Sequence, residues 1–129
     1  MAWTKTGWSD LIGSSATKTL LAAAGASSGS IICYSGANHY VTMDTMIYYG
    51  ASTAASKATV EWLGWNHAGA SLVDTVAYYT VELIGVNAAS VKATYSINVS
   101  GMDGIKVQVT NNEDTDGASF HAAAMFGYA

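Results

Sequence analysis

The sequence predicts an all-β fold: an antiparallel, jelly-roll-like β-sandwich of about eight strands, with an irregular N-terminal arm. Three observations carry this. Apolar and polar residues alternate with period two over long stretches. Clusters of Gly, Ser and Asn separate those stretches at short intervals. No segment has a convincing helical period, and two packed sheets are the natural way to bury many half-apolar strands. The chain also lacks proline, which suits a backbone whose N–H groups are needed by sheet ladders. At 129 residues it makes one domain. The predicted division is an arm over 1–15 and a sandwich over 16–129.

In chain order, "MAWTKTGWSDLIGSS" falls outside the repeating pattern. The rings of Trp3 and Trp8 gain by burial, either on a neighbouring subunit or back on their own sandwich. An arm of this kind is expected to be removable without unfolding the sandwich. "TKTLLAAAGA" fits helix or strand by itself, and its neighbours favour strand. "HYVTMDTMIYY" (39–49), "KATVEWLGW" (57–65) and "VDTVAYYTVELIG" (73–85) are rich in aromatic and β-branched residues. The last two are long for strands, so bends or bulges are expected in them. In "VEWLGW", Trp62 and Trp65 fall on opposite faces of a regular strand, which points one of them outward unless Gly64 marks a bulge. In "SVKATYSINVSG", Val91, Ala93, Tyr95, Ile97 and Val99 share one face. In "GIKVQVTN", Ile105, Val107 and Val109 do the same. These two half-buried strands are joined by "SGMDG", whose Gly101 and Gly104 allow a tight antiparallel reversal. A final hairpin is expected to turn at "NNEDTDG".

Composition excludes several functions. Formal charge is −4, the only cations are five scattered lysines, and there is no arginine. Nucleic-acid binding needs clustered basic residues to displace counterions, so that class is set aside. Charged residues make up 11% of the chain against a usual share of about 25%. The surface is therefore neutral-polar, as suits a protein packed against others. Cys33 stands alone, which leaves no internal disulfide and no cysteine-based metal site; a small buried position or an intermolecular bridge are its two readings. No hydrophobic signal segment is visible, and "TLLAAAGA" is too short to span a bilayer, so neither a signal peptide nor a membrane role is expected.

Chemistry-bearing motifs are sparse. Asn112, Asp114, Asp116 and Gly117 imitate the opening of a calcium loop, but Ala123 stands where a bidentate Glu should be. The same residue types build turns through local hydrogen bonds. His39, His67 and His121 lack metal-ligand spacing. Ser, His and Asp are present in numbers that allow a triad to be drawn, but no nucleophile elbow accompanies them. Nothing singles out a carboxylate pair such as Glu61 and Glu82. The "NVS" at 98–100 fits a glycosylation sequon by accident. No catalytic residue, cofactor or metal is assigned.

The order of "TLLAAAGASSGS", the Trp-centred "VEWLGWNHAGASL" and "SGMDGIKVQVTNNEDTDGASFHAAAMFGY" resembles small β-sandwich virion proteins of tailed bacteriophages, the capsid decoration (cement) proteins among them. The likeness spans most of residues 17–129, on Thr19–Gly29, Gly104–Asn112 and Gly117–Tyr128. It departs where such proteins carry Arg in the late strand and this chain has Lys106. The resemblance implies a non-enzymatic structural protein on the outer capsid surface, made in the host cytoplasm. Its partner would be the major capsid protein, and a homo-oligomer, a trimer foremost, is implied. Candidate interface residues are Trp3 and Trp8 in the arm, with Trp65 and Tyr79 on the sandwich. The alternative is a carbohydrate-binding or tail-fibre tip module, which calls for aromatic rings exposed on one sheet face or in the loops.

Overall fold

The computed structural model of the protein describes residues 3–50, 57–85, 89–112 and 117–128. The chain runs through β1 (Thr4–Lys5), β2 (Ser9–Ile12), β3 (Thr19–Leu21), β4 (Ala26–Ile32), β5 (Tyr34–Ser35), β6 (Asn38–His39), β7 (Thr42–Tyr49), β8 (Lys57–Asn66), β9 (Ser71–Leu72), β10 (Tyr79–Ile84), β11 (Val91–Asn98), β12 (Gly104–Asn111) and β13 (Ala118–Tyr128). A six-stranded sheet has the order β13-β7-β11, with β1, β2 and β3 each paired to the free edge of β13. A five-stranded sheet has the order β10-β8-β12-β4, with β9 added to β8. All of these pairings are antiparallel. The eight strands that carry the sandwich are β3, β4, β7, β8, β10, β11, β12 and β13, and their order is that of a jelly roll.

Period-two alternation sets the core. β7 buries Met43, Thr45, Ile47 and Tyr49, β12 buries Ile105, Val107, Val109 and Asn111, and β13 adds Phe120, Ala122, Ala124 and Phe126. Trp62 at the centre of β8 is fully buried. Its Nε1 donates to Thr45 Oγ1 across the two sheets at 2.9 Å, so the largest side chain in the core has no orphaned donor. Asn111 makes a second tie: its amide donates to the carbonyls of Leu21 and Ala22. Cys33 is buried and free, and burial together with the nearby Asp103 pushes its thiol up to about 12.

Four expectations are corrected. The N-terminal segment does not stand apart from the sandwich: β1 and β2 pair with β13, and Ile12 is a core residue. β2 also lies against β4, where Leu11's carbonyl occupies the space a Cβ on Gly29 would need. Val91–Asn98 and Gly104–Asn111 do not pair with each other. β11 pairs with β7 and β12 with β4 and β8, so residues 99–103 arch from one sheet to the other, with Gly101 at φ +77. Alternation marks a strand as half-buried but is silent on its partner, and five residues suffice to cross the roughly 10 Å between packed sheets. For the same reason β12 and β13 are not a hairpin, since they lie in different sheets. Residues 113–116 of the predicted turn, including both Asp of the calcium-like motif, lie outside the described residues. The run over 73–85 is strand only from Tyr79, because Asp74 Oδ1 accepts from the Val76 N–H and turns the chain.

Gly64 is not a bulge. The β8 register is continuous through it, and the Tyr78 ring fills the space where its Cβ would be, at 2.8 Å. Trp62 and Trp65 therefore do face opposite ways, with Trp65 half-buried on the outer face.

Candidate functional site: a cleft on the outer face of the six-stranded sheet

Residues that alternate with the core form the outer face of the six-stranded sheet. Register places them in rows across β11, β7 and β13: Lys92, Tyr48 and His121; then Thr94, Met46 and Ala123; then Ser96, Asp44 and Met125. The N-terminal segment borders this face. Lys5 of β1 forms an ion pair with Asp44 at 3.0 Å, and Ser96 Oγ donates to the same carboxylate. The Ser96 hydrogen bond and Lys5 together hold the Asp44 carboxyl below the usual range for aspartate. Trp3 lies over Gly127, with its Cε3 3.6 Å from the position a Cβ there would take.

Between this segment and β11 runs a cleft of about 440 Å³, lined by Trp8, Asp10, Ser15, Met46, Lys92, Thr94, His121 and Ala123. Register puts Met46, Thr94 and Ala123 in one row of the sheet, and they form the floor. Trp8 is half exposed, at 50%. Asp10, opposite Ala123 on β2, meets His121 with Oδ1 2.7 Å from Nε2. An ionised carboxylate only accepts, so Nε2 carries the proton of this bond. The pair reverses the burial of a hydrolytic triad: the His121 side chain is 7% exposed and that of Asp10 56%, whereas a catalytic imidazole must reach substrate from a buried carboxylate. Ser15 lines the same cleft, but no hydrogen bond among the described residues joins it to His121.

The four residues expected at an interface lie in three places. Trp3 and Trp8 share the outer face of the six-stranded sheet, and Trp3 is 57% exposed. Trp65 lies on the outer face of the other sheet, with the Lys106 ammonium 5.3 Å from its ring centre. Tyr79 stands at the open edge between β10 and β11, in a groove of about 300 Å³ with Tyr78, Ile97, Asn98 and Met102. Its ring also touches Trp62, with centroids 5.5 Å apart. Of the nine large apolar side chains exposed among the described residues, six (Leu72, Val73, Val76, Tyr78, Tyr79 and Ile84) fall between 72 and 84. Sequence reasoning missed Asp10, Lys92 and His121 as a group. The one available signal was a histidine at an outward position of an otherwise apolar strand. Among the described residues no three His, Cys, Asp or Glu side chains converge as a metal site would require.

No family model matches the chain, and no curated protein matches it. Solved structures do. A crystal structure of tripeptidyl peptidase 2 superposes on 92% of this chain with TM-score 0.65 and 5% identity. Dimeric latent PorU from Porphyromonas gingivalis covers 99% with TM-score 0.61 and 8% identity. The enzymatically active domain of tailspike protein 4 from bacteriophage CBA120 covers 95% with TM-score 0.55 and 11% identity. The chain spans only 10%, 13% and 19% of those three chains in turn. At such identities the likeness shows the β-sandwich fold alone.

Proposed function

We propose that this protein is a non-enzymatic binding module of a tailed-phage particle, and that it holds a glycan in the cleft beside Trp8. The observation that carries this reading is the half-exposed Trp8 ring beside a floor of Met46, Thr94 and Ala123, with polar groups of Ser15, Asp10 and Lys92 also lining the cleft. A sugar ring has an apolar C–H face that packs on an aromatic ring and hydroxyls that need donors and acceptors around it. The inverted burial of His121 and Asp10 supports binding over hydrolysis. The phage assignment rests on the sequence resemblance over 17–129.

The test is tryptophan fluorescence titrated against a panel of bacterial and host-surface glycans. One or more members should change the emission, and Trp8→Ala should abolish the change while the far-UV spectrum stays that of a sheet protein. A panel that leaves the emission flat would contradict the reading.

A second reading, decoration of a capsid as a homotrimer bound to the major capsid protein, is favoured by a different observation. The apolar strip over 72–84, and the rings of Trp3 and Trp8, expose surface of the kind that protein interfaces cover. It predicts that the protein sediments with assembled shells, and that Val73→Asp with Val76→Asp releases it.

A further inference from the structure

We infer that the cleft selects a saccharide bearing an anionic group, and that Lys92 is the residue that reads it. This inference rests on the glycan reading of the cleft and refines it. It begins from the partners of the five lysines. Lys5 is paired with Asp44 at 3.0 Å and Lys57 with Glu82 at 3.6 Å. Lys18 donates to the Ser15 carbonyl and sits 4.8 Å from the centre of the Tyr48 ring. Lys106 lies over Trp65. Lys92 alone has no ion-pair, hydrogen-bond or ring partner among the described residues, and it is also the lysine that lines the cleft.

The carboxylate that also lines the cleft, Asp10, keeps its charge but forms no ion pair with Lys92. Asp10 accepts from His121 at 2.7 Å, at the end of the cleft formed by β2 and β13, whereas Lys92 stands on β11, two strands away from β13. An unpaired ammonium in a cleft lined by Met46, Ala123 and the Trp8 indole is a place where a charge-assisted hydrogen bond is stronger than in open water. The remaining lining hydroxyls, Ser15 and Thr94, can meet neutral sugar oxygens. One lysine in a protein of formal charge −4 also limits the ligand. A densely charged polymer would be repelled by the rest of the surface within a Debye length of about 8 Å. A glycan with isolated acidic groups would not be. A carboxylate (a uronic or sialic acid) and a sulfate ester present the same chemistry to Lys92.

Three probes and two variants test this: 3′-sialyllactose, which carries one carboxylate, its methyl ester and 3′-sulfated lactose, titrated calorimetrically into the full chain and into Lys92→Met and Lys92→Arg. Lys92 is exposed, so both variants should fold. The acid should bind about tenfold tighter than its ester, the worth of one charge-assisted hydrogen bond. Lys92→Met should erase that ratio and Lys92→Arg should keep it. Binding of the sulfated disaccharide that also depends on Lys92 would extend the selectivity to anions in general; its absence would confine it to carboxylates. Equal affinity for acid and ester, or a ratio that survives in Lys92→Met, would overturn the inference while leaving a glycan site in place. Failure of all three probes together with a flat response across the glycan panel would overturn the glycan reading itself.

Discussion

Asp10 and His121 are 111 positions apart, yet Asp10 Oδ1 sits 2.7 Å from His121 Nε2 and joins the short β2 to β13, the last strand of the six-stranded sheet. The bond fixes the wall of the cleft, because Asp10 follows Trp8 by two residues. Asp10→Ala should leave a nearly buried imidazole without its acceptor. A loss of about 1 kcal/mol is expected, read as a lower urea midpoint with an unchanged slope. Glycan-induced fluorescence change at Trp8 should weaken more than that stability loss explains, since the ring's mounting is loosened.

Gly29 is the other point at which the N-terminal segment is held. Any Cβ there runs into the Leu11 backbone carbonyl, which cannot yield as a flexible side-chain end would. Gly29→Ala should cost about 1–3 kcal/mol and lift β2 from β4. Faster amide exchange at Ser9–Ile12, with β8 and β12 still protected, is the expected pattern.

These two contacts show how far the sequence could be read. Period two located β11 and β12 and grouped the residues of their apolar faces, because burial leaves that mark on each strand separately, whereas aromatic and β-branched content located β7 and β8 without telling their inner faces from their outer ones. Pairing leaves no such mark. Nothing in "SGMDG" distinguishes a hairpin from an arch between sheets, and nothing in "WSDLIG" announces that Leu11 will rest on a glycine 18 positions later. The cleft was illegible for the same reason: Trp8, Lys92 and His121 come from three distant segments, and only sheet order brings them to one face. Trp8 stood out from the sequence because an aromatic ring in an irregular segment is conspicuous by itself.

Acid should loosen the same segment through a separate contact. The Asp44 carboxyl titrates below the ordinary aspartate value of about 3.9 in the folded protein. A depressed folded-state value adds stability that is complete above the unfolded value and is lost as pH falls through the folded one. Urea midpoints should therefore hold steady near neutrality and drop below about pH 4. Asp44→Asn should be less stable at neutral pH and show a shallower acid slope. An identical slope in wild type and variant would assign the acid sensitivity elsewhere.

The Trp62–Thr45 hydrogen bond spans the centre of the core. Thr45→Val keeps the volume close and removes the acceptor, so the buried indole N–H is left unmet at a cost of about 1–3 kcal/mol. In a double-mutant cycle with Trp62→Phe, the two losses should be less than additive, because either change alone already breaks the bond.

The central claim is the location of the binding surface, and amide chemical-shift mapping with a glycan that binds tests it most directly. The account predicts perturbations concentrated at Trp8, Asp10, Met46, Thr94 and His121, with the opposite sheet silent. Perturbations centred on Tyr78, Tyr79, Asn98 and Met102, the groove at the β10–β11 edge, would contradict it.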